Sequence, residues 1–210
     1  MDETRGTGPV TRDKLIEAAG EIFAEKGLHG ARIRDITDRA GANIAAVNYH
    51  FHDKFELYTV VLERAHETVF MASAMALTAD TPEGRIRQLL AALITSALDP
   101  NRPKWHTMLL GRELMKPTPA LDRLDEALRE TSARLRKAVE EIRPDLSQED
   151  ARLAACSIVA QCIFHVHHRH LIHRLFPELG EPPVDKLAGY LIEFSLAALR
   201  GFPRGEICSG

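Results

Sequence analysis

The chain has 210 residues, of which 45% are hydrophobic and 27% are charged. This composition is typical of a folded globular protein and excludes a disordered or fibrous chain. The formal net charge of −3 excludes a protein that coats nucleic acid through bulk positive charge. The sequence shows neither an apolar run of about 18 residues, which a membrane span needs, nor the apolar stretch of a signal peptide. We therefore expect a cytoplasmic protein without a membrane partner.

The N-terminal part of the sequence predicts four helices. Apolar residues at helical spacing indicate a first helix that Gly27 ends. Two short helices follow, the first closed by Gly41 and the second opened by Asn43 as an N-cap. Asp53 is placed to cap the fourth helix. Two short helices that are joined by a glycine turn and pack on a longer helix predict a helix-turn-helix, whose second helix can lie in a DNA major groove.

Prolines divide the rest of the chain into further helices, because proline fits the first helical turn and disrupts the interior of a helix. The predicted helices begin at Pro82 and Pro103, run from Ala120 to Ile142, extend as one long helix from Ser147 to near Pro177, and finish with Val184 to Leu199. No alternating strand pattern is present. The sequence therefore predicts an all-α fold of about nine helices.

The segment around the glycine turn carries a specific combination of residues. It contains Arg34-Asp35-Ile36, then Ala40-Gly41, then Tyr49-His50-Phe51 followed by Lys54. Over residues 11–62 this pattern resembles the DNA-binding segment of the TetR family of bacterial transcriptional regulators. The resemblance implies an all-helical homodimer that holds palindromic operator DNA, is usually a repressor, and is released by a small-molecule effector.

The resemblance also implies roles for individual residues. Tyr49, His50 and Lys54 would contact phosphates, and their phenol, imidazole and ammonium groups suit a phosphate. Base edges would be approached from the second short helix by Asn43, Ile44, Ala45, Ala46 and Asn48, and an outward asparagine suits adenine.

One position departs from the family pattern. Arg32 stands where the family usually has a serine or threonine that caps the helix containing Arg34. Arg32 in place of a serine or threonine removes a neutral N-cap and adds, beside Arg34, a cation that can reach a phosphate. The alternative for the whole segment is a three-helix bundle without a DNA role. Burial would explain Val47 and Phe51, but it gives no reason for an exposed Tyr49-His50 pair and an exposed Lys54.

The remainder of the chain resembles a TetR branch with a C-terminal domain of the CerR or CecR sort, as the stretches ANIAAVNYHF and GRELMKPTPAL indicate. In that scheme the last two helices form a dimeric four-helix bundle and the central helices enclose an effector. The predicted dimer stripe on the last helix is Leu187, Leu191, Phe194 and Ala198. The predicted domains are a flexible arm at residues 1–10, a helix-turn-helix domain at 11–56, an effector-binding and dimerisation domain at 57–201, and a tail at 202–210.

Aromatic, thioether and cationic side chains of the central helices predict the effector pocket. The candidate pocket residues are Phe70, Trp105, Met108, Arg112, Phe164 and His168. Trp105, Met108 and Arg112 recur at helical spacing in a short helix that its bracketing prolines make a separate, movable element. Together they suit a planar, partly apolar and anionic molecule. The alternative for each of these residues is an ordinary place in the core. Arg112 and Glu113 are expected to form an exposed or bridging pair.

Histidines crowd the end of the predicted long helix, at positions 165, 167, 168, 170 and 173. At about 100° per residue they point in nearly every direction around that helix, so they cannot gather on one ion. Because nucleophile-elbow, Walker, dinucleotide-binding and zinc-protease motifs are also absent, we expect no metal, no cofactor and no enzyme activity. Two alternatives remain open: an all-helical metal sensor or enzyme centred on His165 to His173, and a ligand-binding module without DNA affinity.

Overall fold

The computed structural model describes residues 12–75 and 78–201, apart from the side chains of residues 69–75. These residues form ten α-helices and no strand, so the all-α prediction is confirmed. The helices are α1 (Arg12–Gly30), α2 (Ile33–Ala40), α3 (Ile44–Phe51), α4 (Lys54–Met75), α5 (Pro82–Ala97), α6 (Lys104–Met115), α7 (Asp125–Ile142), α8 (Gln148–His167), α9 (Arg169–Leu175) and α10 (Val184–Gly201). Short 3₁₀ turns occupy Pro119–Leu124 and Pro177–Leu179. The predicted arm and tail lie outside the described residues.

The described residues divide into two compact units. The N-terminal unit comprises residues 12–67 and 103–125, and the C-terminal unit comprises residues 68–102 and 126–201. Helix α6 thus packs within the same unit as the three N-terminal helices, although it follows them by a long stretch of chain. None of the described helices is long and apolar enough to cross a membrane.

Helix α1 organises the N-terminal unit, because both α2 and α6 pack against it and α3 packs against α2. The side chains that fill this unit include Leu15, Phe23, Ile36, Val47, Phe51, Leu57 and Tyr58. Helical geometry breaks at Gly27, with φ 69° and ψ 175°, as the sequence predicts. A β-carbon at Gly27 would also lie 2.6 Å from Arg112 Nε. The positive φ is the reason that glycine is favoured there, because the flexible Arg112 side chain could shift to admit a β-carbon.

The C-terminal unit has its own apolar core, in which α10 packs against α5 and α8. The core residues include Ile86, Leu89, Leu90, Ile94, Leu135, Val139, Ile158, Leu191 and Leu196. Ser147 caps α8 as predicted, because its Oγ accepts from the Asp150 amide at 3.0 Å. The Asp150 side chain returns to the cap through its Oδ2, which accepts from Ser147 Oγ at 2.8 Å. Arg143 connects the end of α7 to α10: it donates to both carboxylate oxygens of Asp145 at 2.7 Å and to the Leu199 carbonyl at 2.6 Å.

Two features of this unit differ from the sequence predictions. The predicted single helix from Ser147 to near Pro177 is interrupted at His168, where φ is −111° and ψ is 24°, so α8 and α9 are separate helices. No proline or glycine occurs at the break, and helical periodicity therefore could not reveal it. The predicted dimer stripe is also divided. Leu187 and Leu191 are buried within the unit, whereas Phe194 and Ala198 are exposed.

Candidate nucleic-acid interface

The turn between α2 and α3 is built as the sequence predicts. Gly41 adopts the left-handed conformation, with φ 65° and ψ 35°, and its amide donates to the Asp38 carbonyl. The Ala42 amide donates to the Thr37 carbonyl at 2.8 Å, which completes the helix C-cap. At the other end of α2, Arg32 occupies the N-cap position with an extended backbone and no side-chain cap hydrogen bond. Its guanidinium is therefore not used to cap α2.

Helix α3 is fixed by one cap and two buried anchors. Asn43 caps it, because Asn43 Oδ1 accepts from the Ala46 amide at 2.9 Å. Val47 and Phe51 are fully buried and hold the inner face of the helix in the unit. The cap uses one of the two lone pairs of Asn43 Oδ1, and the amide NH₂ group is left to donate to a base.

The opposite face of α3 is exposed. Ile44, Ala45 and Asn48 are exposed and Ala46 is half-buried, as expected for a surface that approaches base edges. Tyr49 is 82% exposed, as expected, and its ring lies edge-on to that of His50 with centroids 4.9 Å apart. A phenol so far out of the core contributes almost nothing to folding through burial. The expectation that His50 and Lys54 are also exposed is wrong, because both side chains are half-buried.

Three cationic side chains, those of Arg32, Arg34 and Lys54, lie near the start of α2. Lys54, at the first residue of α4, donates from Nζ to the Ala31 carbonyl at 3.1 Å. Because Arg32 directly follows Ala31, this bond places the Lys54 ammonium beside the start of α2. An ammonium has three N–H donors, so this single hydrogen bond leaves two for another acceptor. Arg32 and Arg34 are both exposed.

Two ion pairs connect α1 to α2. Lys26 Nζ lies 2.6 Å from Asp35 Oδ2, and Arg39 Nη1 lies 2.6 Å from Glu21 Oε2. The hydrogen bond from Lys26 lowers the pKa of Asp35, so this carboxylate stays ionised and paired. Such exposed pairs add little to stability. They do pair both carboxylates with cations, which moderates the repulsion that a nearby phosphate would otherwise meet.

His52, which follows α3, is a feature that sequence reasoning missed. It has a positive φ of 63° and a ψ of −54°, and the Asp53 amide donates across it to the Phe51 carbonyl at 2.7 Å. This geometry is a γ-turn, which costs about 1–3 kcal/mol for a residue other than glycine. Asp53 then caps α4 as predicted, accepting from the Glu56 amide at 2.8 Å. The strained turn therefore sets the direction in which α4 leaves α3, and no sequence signal marks it.

The buried position of Glu113 is a second feature that the sequence did not reveal. Glu113 was expected to form an exposed or bridging pair with Arg112, and for Glu113 this expectation is wrong. It is 1% exposed and accepts from the Tyr58 hydroxyl at 2.5 Å and the Thr118 amide at 2.6 Å. It also accepts from Thr118 Oγ1 at 2.7 Å. Burial raises the pKa of Tyr58, and the hydrogen bond to Glu113 raises it further. This network joins α4, α6 and the turn that follows α6.

Trp105 lies in the core of the N-terminal unit. It is buried, its indole Nε1 donates to Glu17 Oε2 at 2.9 Å, and a β-carbon on Gly20 would overlap its ring. Helix α6 is a separate helix, as predicted, and Trp105 packs it directly on α1. The expected movement of α6 stays a prediction. The position of Trp105 at the start of a helix between two prolines does not indicate that Glu17 is its partner.

The other predicted pocket residues occupy different places. Met108 is exposed, and Arg112 donates to the Ala24 and Glu25 carbonyls at 3.5 and 3.4 Å. In the C-terminal unit the rings of Phe164 and His168 stack with centroids 5.0 Å apart. The side chain of Phe70 lies outside the described residues. The effector role of these six residues stays a prediction.

The histidine cluster shows no metal-site arrangement. In residues 12–75 and 78–201, apart from the side chains of 69–75, no group of three or more histidine, cysteine or acidic side chains is placed to hold a metal ion. Burial lowers the pKa of both His165 and His167. These two imidazoles are therefore expected to be neutral near pH 7.

Comparisons with known proteins agree with this arrangement. Residues 15–61 match the family model "Bacterial regulatory proteins, tetR family", and residues 82–201 match the C-terminal domain of the HTH-type transcriptional dual regulator CecR. The HTH-type transcriptional repressor NicS of Pseudomonas putida is 28% identical over 207 residues, which cover 92% of this chain and 93% of NicS.

Solved structures share the fold. A TetR-like transcriptional regulator from Rhodococcus sp. RHA1 matches 94% of this chain and 100% of its own length, with a TM-score of 0.69 and 18% identity. The regulator FadR from Bacillus subtilis, solved with stearoyl-CoA, matches 89% of this chain and 98% of its own length, with a TM-score of 0.66 and 16% identity. Because one domain match covers more than half of the chain and the other covers its helix-turn-helix, the chain belongs to the TetR family of bacterial transcriptional regulators, with a C-terminal domain of the CecR type.

Proposed function

We propose that this DNA-binding regulator acts as a homodimeric repressor that reads a palindromic operator with α3 and leaves it when a small organic molecule binds. The observation that carries the DNA role is the face of α3 that includes Ile44, Asn48 and Tyr49. It is exposed although two buried anchors, Val47 and Phe51, hold the helix firmly. A rigid helix with an exposed polar and aromatic face suits insertion into a major groove.

The residues divide into two groups by chemistry. Phosphate contacts are assigned to Arg32, Arg34, Tyr49, His50 and Lys54, which are cations or hydrogen-bond donors at or near helix ends. Base-edge contacts are assigned to Asn43, Ile44, Ala45, Ala46 and Asn48. In this scheme the first group supplies affinity and the second supplies sequence preference.

A dimer is proposed because one recognition helix covers only one half-site. The surface that supports it consists of exposed apolar side chains on the two helices that the family pattern assigns to dimerisation. They are Leu153 and Phe164 on α8 and Tyr190 and Phe194 on α10. Other exposed residues of α10 include Gly189, Ala197 and Ala198, which are small enough to allow close helix approach. A patch of this kind on a folded subunit suits a partner copy.

Ligand release is proposed by parallel with relatives: NicS is named a repressor, and FadR was solved with stearoyl-CoA. A ligand can release DNA only if it binds a conformer with mismatched recognition helices more tightly than the DNA-bound conformer. The relatives that match are regulators, so the proposal contains no catalytic step. The proposed effector contacts remain Phe70, Trp105, Met108, Arg112, Phe164 and His168.

Substitutions in the two groups should have separable effects on DNA binding. Lys54→Ala is expected to weaken binding to every duplex and to reduce the slope of log affinity against log salt by about 1, because one phosphate contact is lost. Tyr49→Phe removes only a hydroxyl and should also weaken binding to every duplex. Asn48→Ala should instead reduce discrimination at one base pair, by about 1–3 kcal/mol. Fluorescence anisotropy titrations at several salt concentrations measure all three effects.

A matched control is Lys137→Ala, which makes the same chemical change as Lys54→Ala at an exposed lysine on α7 of the C-terminal unit and should leave DNA affinity unchanged. Thermal melting of each variant checks that the fold is intact. Unaltered affinity and salt slope in both Lys54→Ala and Tyr49→Phe would show that α3 does not approach DNA in the proposed way.

A further inference from the structure

A cavity of about 420 Å³ lies within the C-terminal unit, and none of its described lining residues is a predicted pocket residue, although Phe164 and His168 directly adjoin two of them, His165 and Arg169. Its walls come from the end of α8, from α9, from the segment that follows α9, and from the start of α10. The volume falls in the range of small-molecule sites, which is about 300–1,000 Å³. Apolar wall residues include Leu98, Ile172, Leu179 and Leu187, and Tyr190 adds an aromatic ring.

Cationic side chains border this apolar space. Arg169 and Lys186 are basic wall residues on different helices, and the imidazoles of His165 and His173 also line the cavity. Among the lining residues that the structure describes, one carries a carboxylate: Glu181, whose Oε2 lies 3.1 Å from Arg169 Nη2. Even with this pair formed, the lining keeps a net positive charge through Lys186. The chemistry therefore favours a ligand with an apolar body and a negative group.

Prolines and a glycine with positive φ shape the cavity wall that α9 and the segment after it form. Helix α9 is set apart from α8 by the break at His168, and Pro177 begins the 3₁₀ turn that follows it. Gly180 then turns the chain with a positive φ of 58°, and two further prolines, Pro182 and Pro183, lead into α10. Proline fixes φ, so this wall has little freedom to collapse into the space. Such preorganisation reduces the entropy that a ligand must overcome on binding.

We propose that this cavity is a binding site for a small organic anion with an aromatic or branched apolar body. The apolar part of the ligand lies on Ile172 and Leu187, and its anionic group is held by Lys186 and by Arg169, which can exchange Glu181 for the ligand. The proposal concerns binding at this place and stands independently of whether the ligand also releases DNA.

A pair of fluorescent probes tests the charge requirement. Anilinonaphthalene sulfonate carries the anion, and phenylnaphthylamine has the same aromatic body without it. Titration of the full-length protein should give tighter binding of the sulfonate. The double variant Arg169→Gln/Lys186→Gln should weaken sulfonate binding about tenfold, the loss expected for a charge-assisted hydrogen bond, and leave the neutral probe unchanged.

Two further variants locate the probe. Glu181→Gln removes the carboxylate that competes for Arg169 and should tighten binding of the sulfonate. Ile172→Trp fills the cavity and should weaken binding of both probes. Arg174→Gln is the matched control, because Arg174 is exposed on α9 and does not line the cavity. DNA titrations and melting curves of the same variants should match the unsubstituted chain, so failure here is distinguishable from failure of the proposed DNA role. The proposal is overturned if sulfonate affinity is the same in the double variant and the unsubstituted chain, or if Ile172→Trp binds both probes normally.

Discussion

Replacing Phe194 with aspartate is expected to convert the dimer into monomers and to lower affinity for a palindromic duplex by more than about 100-fold, because the second half-site is no longer held in the same complex. Phe194 is 56% exposed and stacks on Tyr190 with ring centroids 6.1 Å apart. A charge at this position would have to be buried between two copies of α10 without a partner, which opposes association.

The choice of Phe194 over Leu191 follows from burial. Leu191 is 1% exposed and belongs to the core of its own unit, so Leu191→Asp should unfold the subunit and would not isolate the dimer contact. Sedimentation velocity measures the outcome, and Phe194→Leu, which keeps an apolar side chain, should remain dimeric. A folded Phe194→Asp variant that sediments as a dimer and binds DNA normally would exclude this face of α10 from the interface.

The substitution Glu113→Ala should destabilise the N-terminal unit by about 3 kcal/mol, because it leaves the buried Tyr58 hydroxyl and the Thr118 amide without their acceptor. In thermal melting this corresponds to a fall in Tm of about 6–12 °C for a chain of this size. Glu113→Gln is the matched control: its amide oxygen can still accept from Thr118 while its NH₂ group donates to Tyr58. It should therefore lose much less stability.

The same network predicts a response to alkaline pH. The raised pKa of Tyr58 means that the folded state favours the protonated phenol. Its contribution to stability is complete below about pH 10, the ordinary pKa of tyrosine, and is lost as pH rises above that value. Denaturant titrations between neutral and strongly alkaline pH should show this loss, and Tyr58→Phe should diminish it. Equal melting temperatures of Glu113→Ala and Glu113→Gln would contradict the assigned role of Glu113.

Local features of this fold could be predicted from sequence because their causes are local. Each of the confirmed caps and turns joins groups that lie within a few residues of one another. They are the caps at Asn43, Asp53 and Ser147 and the left-handed Gly41. Such contacts depend on residue type and spacing, which the sequence states directly. The outward face of α3 followed from the same spacing, since Val47 and Phe51 fix its inner side.

Features that depend on distant partners could not be predicted in this way. Glu113 accepts from Tyr58, which is 55 positions away, and Trp105 donates to Glu17, which is 88 positions away. Periodicity also identifies an apolar stripe without saying which part faces the subunit core. This is why Leu191 and Phe194 were predicted to share one surface, whereas the structure buries the first and exposes the second.

The most direct test of the central claim is to select bound sites from a random duplex library with the full-length protein and to titrate the selected duplex. We expect a palindrome whose half-sites are separated by about 10 base pairs or a multiple, bound with strongly salt-dependent affinity. Asn48→Ala should select a site degenerate at one position of each half. Two results would contradict recognition of an operator by α3 of a symmetric dimer. One is a selection that enriches no sequence, and the other is an enriched site that lacks two-fold symmetry and is selected unchanged by Asn48→Ala.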